Sequence, residues 1–313
     1  MPSLIFLMGP TTAGKTRLAV ELVERLPCDV ISVDSAMVYR GMDIGTAKPT
    51  RDVLDRAPHR LIDICDPAEP YSVARFRRDA LREIEDISSK GRIPLLVGGT
   101  GLYFRALQNG ISKLPSADKR LRASLEADAR AQGWHSLHAR LAEVDPPSAN
   151  RIHPNDPQRI LRALEVFELT GQPLTEHFSR ETRDSLPYRV VKFVLAPRER
   201  GVIHQSVKTR FHRMLERGLV EEVRGLYERR DLGPHLPSVR IVGYRQVWRY
   251  LEGSLDYPGM VERAIVATRQ LAKRQLTWLR SERNATWFDG SDEEVLGSLL
   301  KLLEGAPMVI GRL

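Results

Sequence analysis

Four residues near the start of the chain have the types and spacing of a phosphate-binding loop. Gly9, Gly14, Lys15 and Thr16 fit the pattern G-x-x-x-x-G-K-S/T. The glycines let backbone N–H groups turn toward an anion, and the helix that opens at Lys15 adds its positive end. The Lys15 ammonium would neutralise terminal phosphates, and the Thr16 hydroxyl would bind Mg2+. The motif therefore predicts a phosphorylated ligand together with a Mg2+ ion.

Polar residues follow two later apolar segments and could face the same ligand. Asp34 follows Asp29–Val33, and Thr100 follows Ile93–Val97 and a pair of glycines. Asp34 could be a general base, an outer ligand of Mg2+ or a cap of the following turn, and its position alone favours the cap. Thr100 could present its hydroxyl to a ligand or cap a tight turn, and taken alone the turn is slightly favoured.

The acidic residue with which P-loop ATPases hold Mg2+ and water has no convincing counterpart. The nearest candidate is Asp63, in the segment HRLIDI. This favours a group-transfer enzyme over a motor or a switch.

Alternating strands and helices must position these loops. The predicted strands are Leu4–Met8, Asp29–Val33, Leu61–Ile64, Ile93–Val97 and Arg189–Leu195. A helix is predicted for Ser72–Lys90, with Ser72 as its N-cap and Gly91 as its stop. This alternation predicts an α/β fold with a doubly wound, mostly parallel sheet that binds ligands at the carboxyl ends of its strands.

A charged helical insertion is predicted to interrupt the α/β core. The insertion spans 114–187, and the core is formed by 1–113 and 188–313. Asp156 and Pro157 have N-cap and N1 chemistry for a helix that runs to about Thr170 and stops at Gly171. Further helices are predicted for about Lys15–Leu26, Glu199–Arg217, Leu219–Arg230, about Arg240–Leu251 and Val261–Ser281.

The composition excludes several classes of protein. The 313 residues are 42% apolar and 28% charged, with only two cysteines, and no apolar run approaches the ~20 residues of a membrane span. We therefore expect a cytoplasmic protein without a signal peptide, a disulfide framework or a cysteine metal site. The net charge of +8 suits a polyanionic partner. Cations interleave with aromatic rings in VRIVGYRQVWRY and LAKRQLTWLRSER, which favours RNA loops over duplex DNA.

Seven separated blocks resemble one family, the tRNA dimethylallyltransferases, also called tRNA isopentenyltransferases. They are GPTTAGKT, DSAMVYRGMDIGTAKP, HRLIDI, LLVGGTGLY, HPNDPQRILRALEV, RIVGYRQVW and RQLAKRQLTWLR, in the family's order from Leu4 to about Arg280. The resemblance implies transfer of a dimethylallyl group from dimethylallyl pyrophosphate to N6 of the adenosine 3′-adjacent to the anticodon of tRNA, with release of pyrophosphate. The P-loop would then bind the leaving group, and the adenine would be flipped into a channel.

The resemblance also implies roles for individual residues. Asp34 would be the base, Thr100 a hydroxyl at the same site, and Lys15 and Arg210 groups near the pyrophosphate. The pyrophosphate loop would be Gly9, Pro10, Thr11, Thr12, Ala13, Gly14, Lys15 and Thr16, with Mg2+ on Thr16. The tRNA contacts would be Asp34, Ser35, Ala36, Met37, Thr100, Arg122, Gln158, Arg159, Ile160, Leu161, Arg162, Arg240, Ile241, Val242, Gly243, Tyr244, Arg245, Lys273, Arg274, Gln275, Leu276, Thr277, Trp278, Leu279 and Arg280.

Two departures and two alternatives accompany this hypothesis. Many relatives have Gln where this chain has Met37, and Ala-Ser is common where it has Thr12-Ala13. No zinc finger follows Arg280, and a monomer is expected. A small-molecule or nucleotide kinase would share the P-loop and a helical lid, and a non-catalytic P-loop protein would bind tRNA without altering it.

Overall fold

A computed structural model of the chain describes residues 3–112, 114–179 and 186–305. Its elements in chain order are β1 (Ser3–Met8), α1 (Lys15–Val23), β2 (Cys28–Val33), α2 (Arg51–Arg56), β3 (His59–Arg60), α3 (Val73–Ser89), β4 (Ile93–Gly98), α4 (Gly101–Asn109), α5 (Lys119–Gln132), α6 (Trp134–Val144), α7 (Pro146–Arg151), α8 (Pro157–Thr170), α9 (Leu174–Ser179), β5 (Arg189–Leu195), α10 (Arg200–Glu216), α11 (Leu219–Tyr227), α12 (Tyr244–Leu251), α13 (Tyr257–Leu279), β6 (Ala285–Phe288) and α14 (Val295–Gly305).

The six strands form one parallel sheet in the order β3-β2-β4-β1-β5-β6. Strand β1 lies in the middle and pairs with β4 and β5 in parallel register, with Ile5 opposite both Leu95 and Val191. The predicted α/β class and parallel sheet are confirmed. Because β1, β2 and β4 are neighbours, the loops that follow them meet at one edge of the sheet.

Alternate residues of the central strand supply two apolar cores, one on each face of the sheet. Leu4, Phe6 and Met8 belong to one cluster, and Ile5 and Leu7 belong to the other. Every one of these five side chains is fully buried. A strand covered on both faces has a continuous apolar sequence, as β1 does from Leu4 to Met8.

Most predicted helix ends are confirmed. The Ser72 hydroxyl accepts a hydrogen bond from the N–H of Arg75 at the start of α3. The Asp156 carboxylate caps α8, and Gly171 ends that helix with a left-handed φ of 66°. Helix α1 ends at Val23, before the predicted end at about Leu26.

The strand predicted at Leu61–Ile64 is wrong. The strand at this place is β3, only His59 and Arg60. Leu61 and Asp63 have φ values of 63° and 55°, so the chain turns there instead of continuing extended. The Asp63 carboxylate lies 2.5 Å from the buried Lys48 ammonium, an ion pair that holds the turn.

Two further corrections concern the second half of the chain. Helix α12 begins at Tyr244 instead of Arg240, because Gly243 has a φ of 95° and the preceding residues form a turn. Strand β6, which closes the sheet beside β5, had no sequence prediction. In the described part of the chain, no helix combines the length and the apolar character needed to cross a bilayer.

The chain divides into two compact units, one of residues 1–108 and 186–313 and the other of 109–185. Of the predicted insertion, 114–187, residues 114–185 fall in the second unit and 186–187 in the first; residues 180–185 lie outside the described ranges. The second unit is helical from α5 to α9 and has its own apolar core, which includes Leu141, Ile160 and Leu164. A buried carboxylate, Glu165, accepts hydrogen bonds from two arginines in this core.

Candidate active site

A cavity of about 750 Å³ lies in the first unit, at the carboxyl ends of β1, β2 and β4. The P-loop forms one part of its wall, and the loops after β2 and β4 form another. Helices α10 and α13 and the turn before α12 complete it. Of the residues predicted for the site, those lining the cavity are Thr11, Thr12, Ala13, Gly14, Lys15, Thr16, Asp34, Ser35, Ala36, Met37, Thr100, Arg210, Arg240, Ile241, Val242, Gly243, Arg274, Gln275 and Trp278.

The P-loop has the backbone that its motif requires. Gly14 precedes α1 with a left-handed φ of 84°, and Thr12 adopts a left-handed φ of 68°. A Cβ on Gly9 would lie 2.3 Å from the carbonyl oxygen of Leu195, so β5 approaches too closely for any side chain there. The loop is thus held by its neighbours in a conformation that only small or strained residues adopt.

The Lys15 ammonium lies inside this loop. Its Nζ donates to the carbonyl oxygens of Gly9 and Pro10, at 2.9 and 2.7 Å. Burial lowers the pKa of Lys15 from 10.5 to about 8, while the Asp34 carboxylate acts in the opposite direction. A cation enclosed in this way attracts an anionic ligand, because the ligand would restore the charge stabilisation that water no longer supplies.

Arg210, on α10, is a second cation at the same end of the cavity. One of its terminal nitrogens donates to the Thr11 hydroxyl at 2.5 Å. Burial lowers the pKa of the Arg210 guanidinium, and the Asp34 carboxylate raises it. Two enclosed cations therefore share one nearby carboxylate, and the loop end of the cavity keeps an excess of positive charge.

Asp34 is both a turn cap and a cavity residue. Its Oδ1 accepts hydrogen bonds from the N–H groups of Ala36 at 2.8 Å and Met37 at 3.3 Å. The other oxygen, Oδ2, accepts no hydrogen bond from the described residues. The cap and base hypotheses are therefore compatible, since each uses a different oxygen of the same carboxylate.

Thr100 lies beside Asp34 because β2 and β4 are adjacent strands. The Thr100 hydroxyl accepts a hydrogen bond from the N–H of Ser35 at 3.2 Å. A Cβ on Gly98 would lie 2.1 Å from the Val33 carbonyl oxygen, which explains why glycine precedes this loop. The two loops thus form one surface of the cavity.

An apolar stripe on α10 lines the same cavity and had no sequence prediction. Val207, Phe211 and Met214 lie at i, i+4 and i+7, and all three are less than 10% exposed. Arg210 belongs to the same helix. The helical period of these residues was visible in the sequence, but a buried stripe is equally typical of an ordinary core helix.

The predicted tRNA blocks separate into cavity residues and core residues. Arg274 and Trp278 line the cavity at i and i+4 of α13, and the indole N–H of Trp278 is buried without a hydrogen-bond partner among the described residues. Tyr244 is 1% exposed and donates its hydroxyl to Glu222, so its ring is packed in the core. Leu279 is also fully buried, whereas Lys273, Thr277 and Arg280 are exposed outside the cavity and Leu276 packs against the core.

The predicted tRNA residues of the second unit have equally different surroundings. Arg122 forms a two-point ion pair with the buried Glu165 at 2.8 and 2.9 Å, and Arg162 donates to the same carboxylate at 2.6 Å. Burial opposes ionisation of Glu165, yet these hydrogen bonds lower its pKa below the usual value. Ile160 and Leu161 belong to the core, whereas Gln158 and Arg159 are exposed.

A second, shallower cavity of about 260 Å³ lies between α12 and α13. Arg245, Arg249 and Arg263 line it, and no carboxylate does so among the described residues. Three guanidinium groups without an acidic neighbour in the lining form a surface suited to phosphate groups.

The described residues contain no group of three or more His, Cys, Asp or Glu side chains arranged to hold a metal ion. A Mg2+ site here would rest on a different donor set. The Thr16 hydroxyl lines the main cavity next to Lys15 and forms no hydrogen bond with the described residues. One hydroxyl, completed by ligand oxygens and water, fits the way Mg2+ binds phosphates in proteins.

The fold and the cavity together define a P-loop α/β protein whose site suits an anionic ligand and an RNA partner. A sequence model of the IPP transferase family matches residues 37–282. The match covers more than half of the chain. The chain belongs to the IPP transferase family.

Relatives agree with this assignment. A tRNA dimethylallyltransferase of Thioalkalivibrio sulfidiphilus is 61% identical over 280 residues, which cover 90% of this chain and 88% of that protein. The crystal structure of a tRNA isopentenylpyrophosphate transferase of Bacillus halodurans has a TM-score of 0.72 and 39% identity, covering 97% of this chain and 96% of its own. A eukaryotic dimethylallyltransferase acting on tRNA has a TM-score of 0.81 and 26% identity, covering 100% and 82%.

Proposed function

We propose that this protein transfers a dimethylallyl group from dimethylallyl pyrophosphate to N6 of the adenosine 3′-adjacent to the anticodon of tRNA and releases pyrophosphate. The single observation that carries the proposal is a cavity lined by two enclosed cations, Lys15 and Arg210, and by the nearby Asp34 carboxylate, one oxygen of which accepts no hydrogen bond from the described residues, in a chain of the IPP transferase family.

The cationic end suits the leaving pyrophosphate. As the allylic C–O bond breaks, the bridging oxygen gains negative charge, and Lys15 and Arg210 stabilise it. Backbone N–H groups of the P-loop would cradle the same phosphates. The Thr16 hydroxyl would hold Mg2+, which supplies further stabilisation of the developing charge when it is bound.

The Asp34 carboxylate suits the attacking amine. The adenine N6 lone pair is delocalised into the ring, so the amine becomes acidic only as its bond to the allyl carbon forms. Asp34 Oδ2 would accept that proton while Oδ1 keeps the turn capped. The apolar stripe of Val207, Phe211 and Met214 would exclude water from the five-carbon group.

The RNA partner is supported by charge. The net charge is +8, and the arginines of the α12–α13 cavity have no carboxylate in its described lining. We propose that these arginines, together with the exposed Gln158 and Arg159 of the second unit, bind tRNA phosphates. Arg122 and Arg162 are less suited to a direct contact with tRNA, because both guanidinium groups are paired with the Glu165 carboxylate. We further expect a monomer of a reducing compartment, where both buried cysteines remain thiols.

The test uses unmodified tRNA, Mg2+ and dimethylallyl pyrophosphate, followed by mass spectrometry of the digested tRNA. We expect one adenosine to gain the mass of one dimethylallyl group less one hydrogen. A parallel reaction with ATP in place of the pyrophosphate tests the kinase alternative. An unmodified tRNA in the first reaction would refute the proposal.

A further inference from the structure

Gln275 joins two neighbouring loops of the cavity wall, the P-loop and the loop after β4. It lies on α13, and its Oε1 accepts a hydrogen bond from the N–H of Thr11 at 2.9 Å. Its Nε2 donates to the carbonyl oxygen of Gly99 at 3.0 Å. Both polar atoms of the Gln275 amide are therefore hydrogen-bonded, Oε1 to the P-loop and Nε2 to the loop after β4.

The partners themselves fix the orientation of the amide. The Thr11 N–H can only donate and the Gly99 carbonyl can only accept, so a flipped amide would satisfy neither. Gly99 also has to lack a side chain, because a Cβ there would lie 2.4 Å from the Gln275 Nε2. Only a side chain with a donor and an acceptor at this length makes both bonds.

Each loop carries a group of the proposed reaction. Thr11 accepts a hydrogen bond from Arg210 through its hydroxyl, so its backbone and its side chain are both held from outside the P-loop. On the other side, Thr100 follows Gly99 and accepts from the N–H of Ser35, the residue after Asp34. Gln275 is thus a side-chain link between these loops, which also meet through the backbone hydrogen bond from the Gly9 N–H to the Gly98 carbonyl oxygen at 3.3 Å.

We infer that Gln275 is a positioning residue that fixes the Thr11 part of the pyrophosphate loop relative to the Asp34–Thr100 surface. The inference rests on the proposed transfer reaction. Displacement of one reacting partner by about 1 Å costs on the order of a hundredfold in rate. Helix α13 also carries Arg274 and Trp278 into the cavity. If tRNA binds to this helix, a shift of α13 would move Gln275 and the two loops that are hydrogen-bonded to it. A side chain in this role affects the chemical step more than the binding of either substrate.

The test compares Gln275→Met with the unmodified protein. Methionine keeps the length and the helix preference of glutamine and removes both hydrogen bonds. We expect the single-turnover rate at saturating tRNA and dimethylallyl pyrophosphate to fall at least tenfold, while the Kd of tRNA changes less than threefold. Gln205→Met is the control, because Gln205 is exposed on α10 outside both cavities, and its rate should equal that of the unmodified protein.

Gly99→Ala supplies a second route to the same loss, because the added Cβ would lie 2.4 Å from the Gln275 Nε2 and displace the amide; it would also lie 3.0 Å from the Gly9 carbonyl oxygen. If both changes break one link, the double variant should be no slower than the slower single variant. The shift of the unfolding midpoint caused by inorganic pyrophosphate provides a readout that needs no transfer. It should be retained in Gln275→Met, which shows that the variant is folded and still binds the leaving group.

Three results would overturn the inference. The first is a rate of Gln275→Met equal to that of the unmodified protein. The second is a normal rate at saturation with a weakened tRNA Kd, which would make Gln275 a tRNA contact. The third is a double variant whose losses multiply. If the unmodified protein itself transfers nothing, the proposed function fails instead, so the two failures are distinguishable.

Discussion

The two oxygens of Asp34 have separate tasks in the proposed mechanism, and two substitutions separate them. Asp34→Asn keeps an oxygen that can accept from the N–H groups of Ala36 and Met37, now 2.8 and 3.3 Å from Oδ1. It removes the oxygen that could take a proton. Asp34→Ala removes both. The structure therefore predicts equal chemical defects in the two variants but different stabilities.

The magnitudes follow from the two roles. Loss of the turn cap in Asp34→Ala should lower the free energy of unfolding by about 1 kcal/mol, whereas Asp34→Asn keeps most of that stability. Loss of a general base slows a reaction by roughly 10² to 10⁴, equivalent to about 3–5 kcal/mol in the barrier. We expect both variants to turn over at least tenfold more slowly than the unmodified protein.

The assay pairs the thermal midpoint with the single-turnover rate on the same preparation at pH 7. This pH matters because Asp34 raises the pKa of Lys15, and both variants lose that support for a group whose pKa is about 8. Binding of tRNA and of dimethylallyl pyrophosphate is measured separately. An Asp34→Asn variant with a lowered midpoint and an unchanged rate would refute the reasoning and leave Asp34 as a cap alone.

Three other predictions concern the cations and the packing behind the cavity. Burial lowers the pKa of Lys15 to about 8, so affinity for dimethylallyl pyrophosphate should fall as the pH rises through 8 and the ammonium is lost. Lys15→Arg, which stays charged, should show no such fall, and equal profiles would contradict the assignment. The double change Arg249→Gln with Arg263→Gln should reduce the slope of log affinity for tRNA against log salt by about 1.5, while Arg51→Gln, an exposed arginine of α2, should leave it unchanged. Gly45→Ala should lower the free energy of unfolding by about 1–3 kcal/mol, because its Cβ would lie 2.4 Å from the Tyr244 ring, whereas Gly201→Ala meets nothing and serves as the control in urea unfolding.

The cavity loops could be predicted because their signals are local. The P-loop, Asp34 and Thr100 each follow a strand of the parallel sheet. Loops at the carboxyl ends of adjacent parallel strands meet at one edge of the sheet, independently of the structure of the other segments. Gln275 was expected only as a tRNA contact, from the resemblance, and its link between the two loops could not be predicted in this way. It is 264 residues from Thr11 along the chain, and only the packing of α13 against the P-loop brings the two together.

The basic blocks show why charge patterns in a sequence are ambiguous. Arg122 and Arg162 occur in charged helices that suggest a phosphate contact, yet both pair with Glu165, whose buried carboxylate needs them. Tyr244 lies between arginines in the sequence but fills the core beside Gly45. A linear pattern of cations and rings does not reveal which of them face a carboxylate or an apolar neighbour. Three-dimensional packing decides this.

The charges around the main cavity also suggest why proton transfer and departure of the pyrophosphate help each other. Asp34 stabilises the charged forms of Lys15 and Arg210, since it raises the pKa of both. In the proposed reaction, Asp34 would become neutral on accepting the proton of N6 and would cease to act as their counter-ion. The pyrophosphate, which has just gained negative charge, is then the remaining anion near the two cations. Neutralisation of the base therefore strengthens the attraction between the loop and the leaving group, and the same carboxylate links the attack on the allyl carbon to the cleavage of its C–O bond.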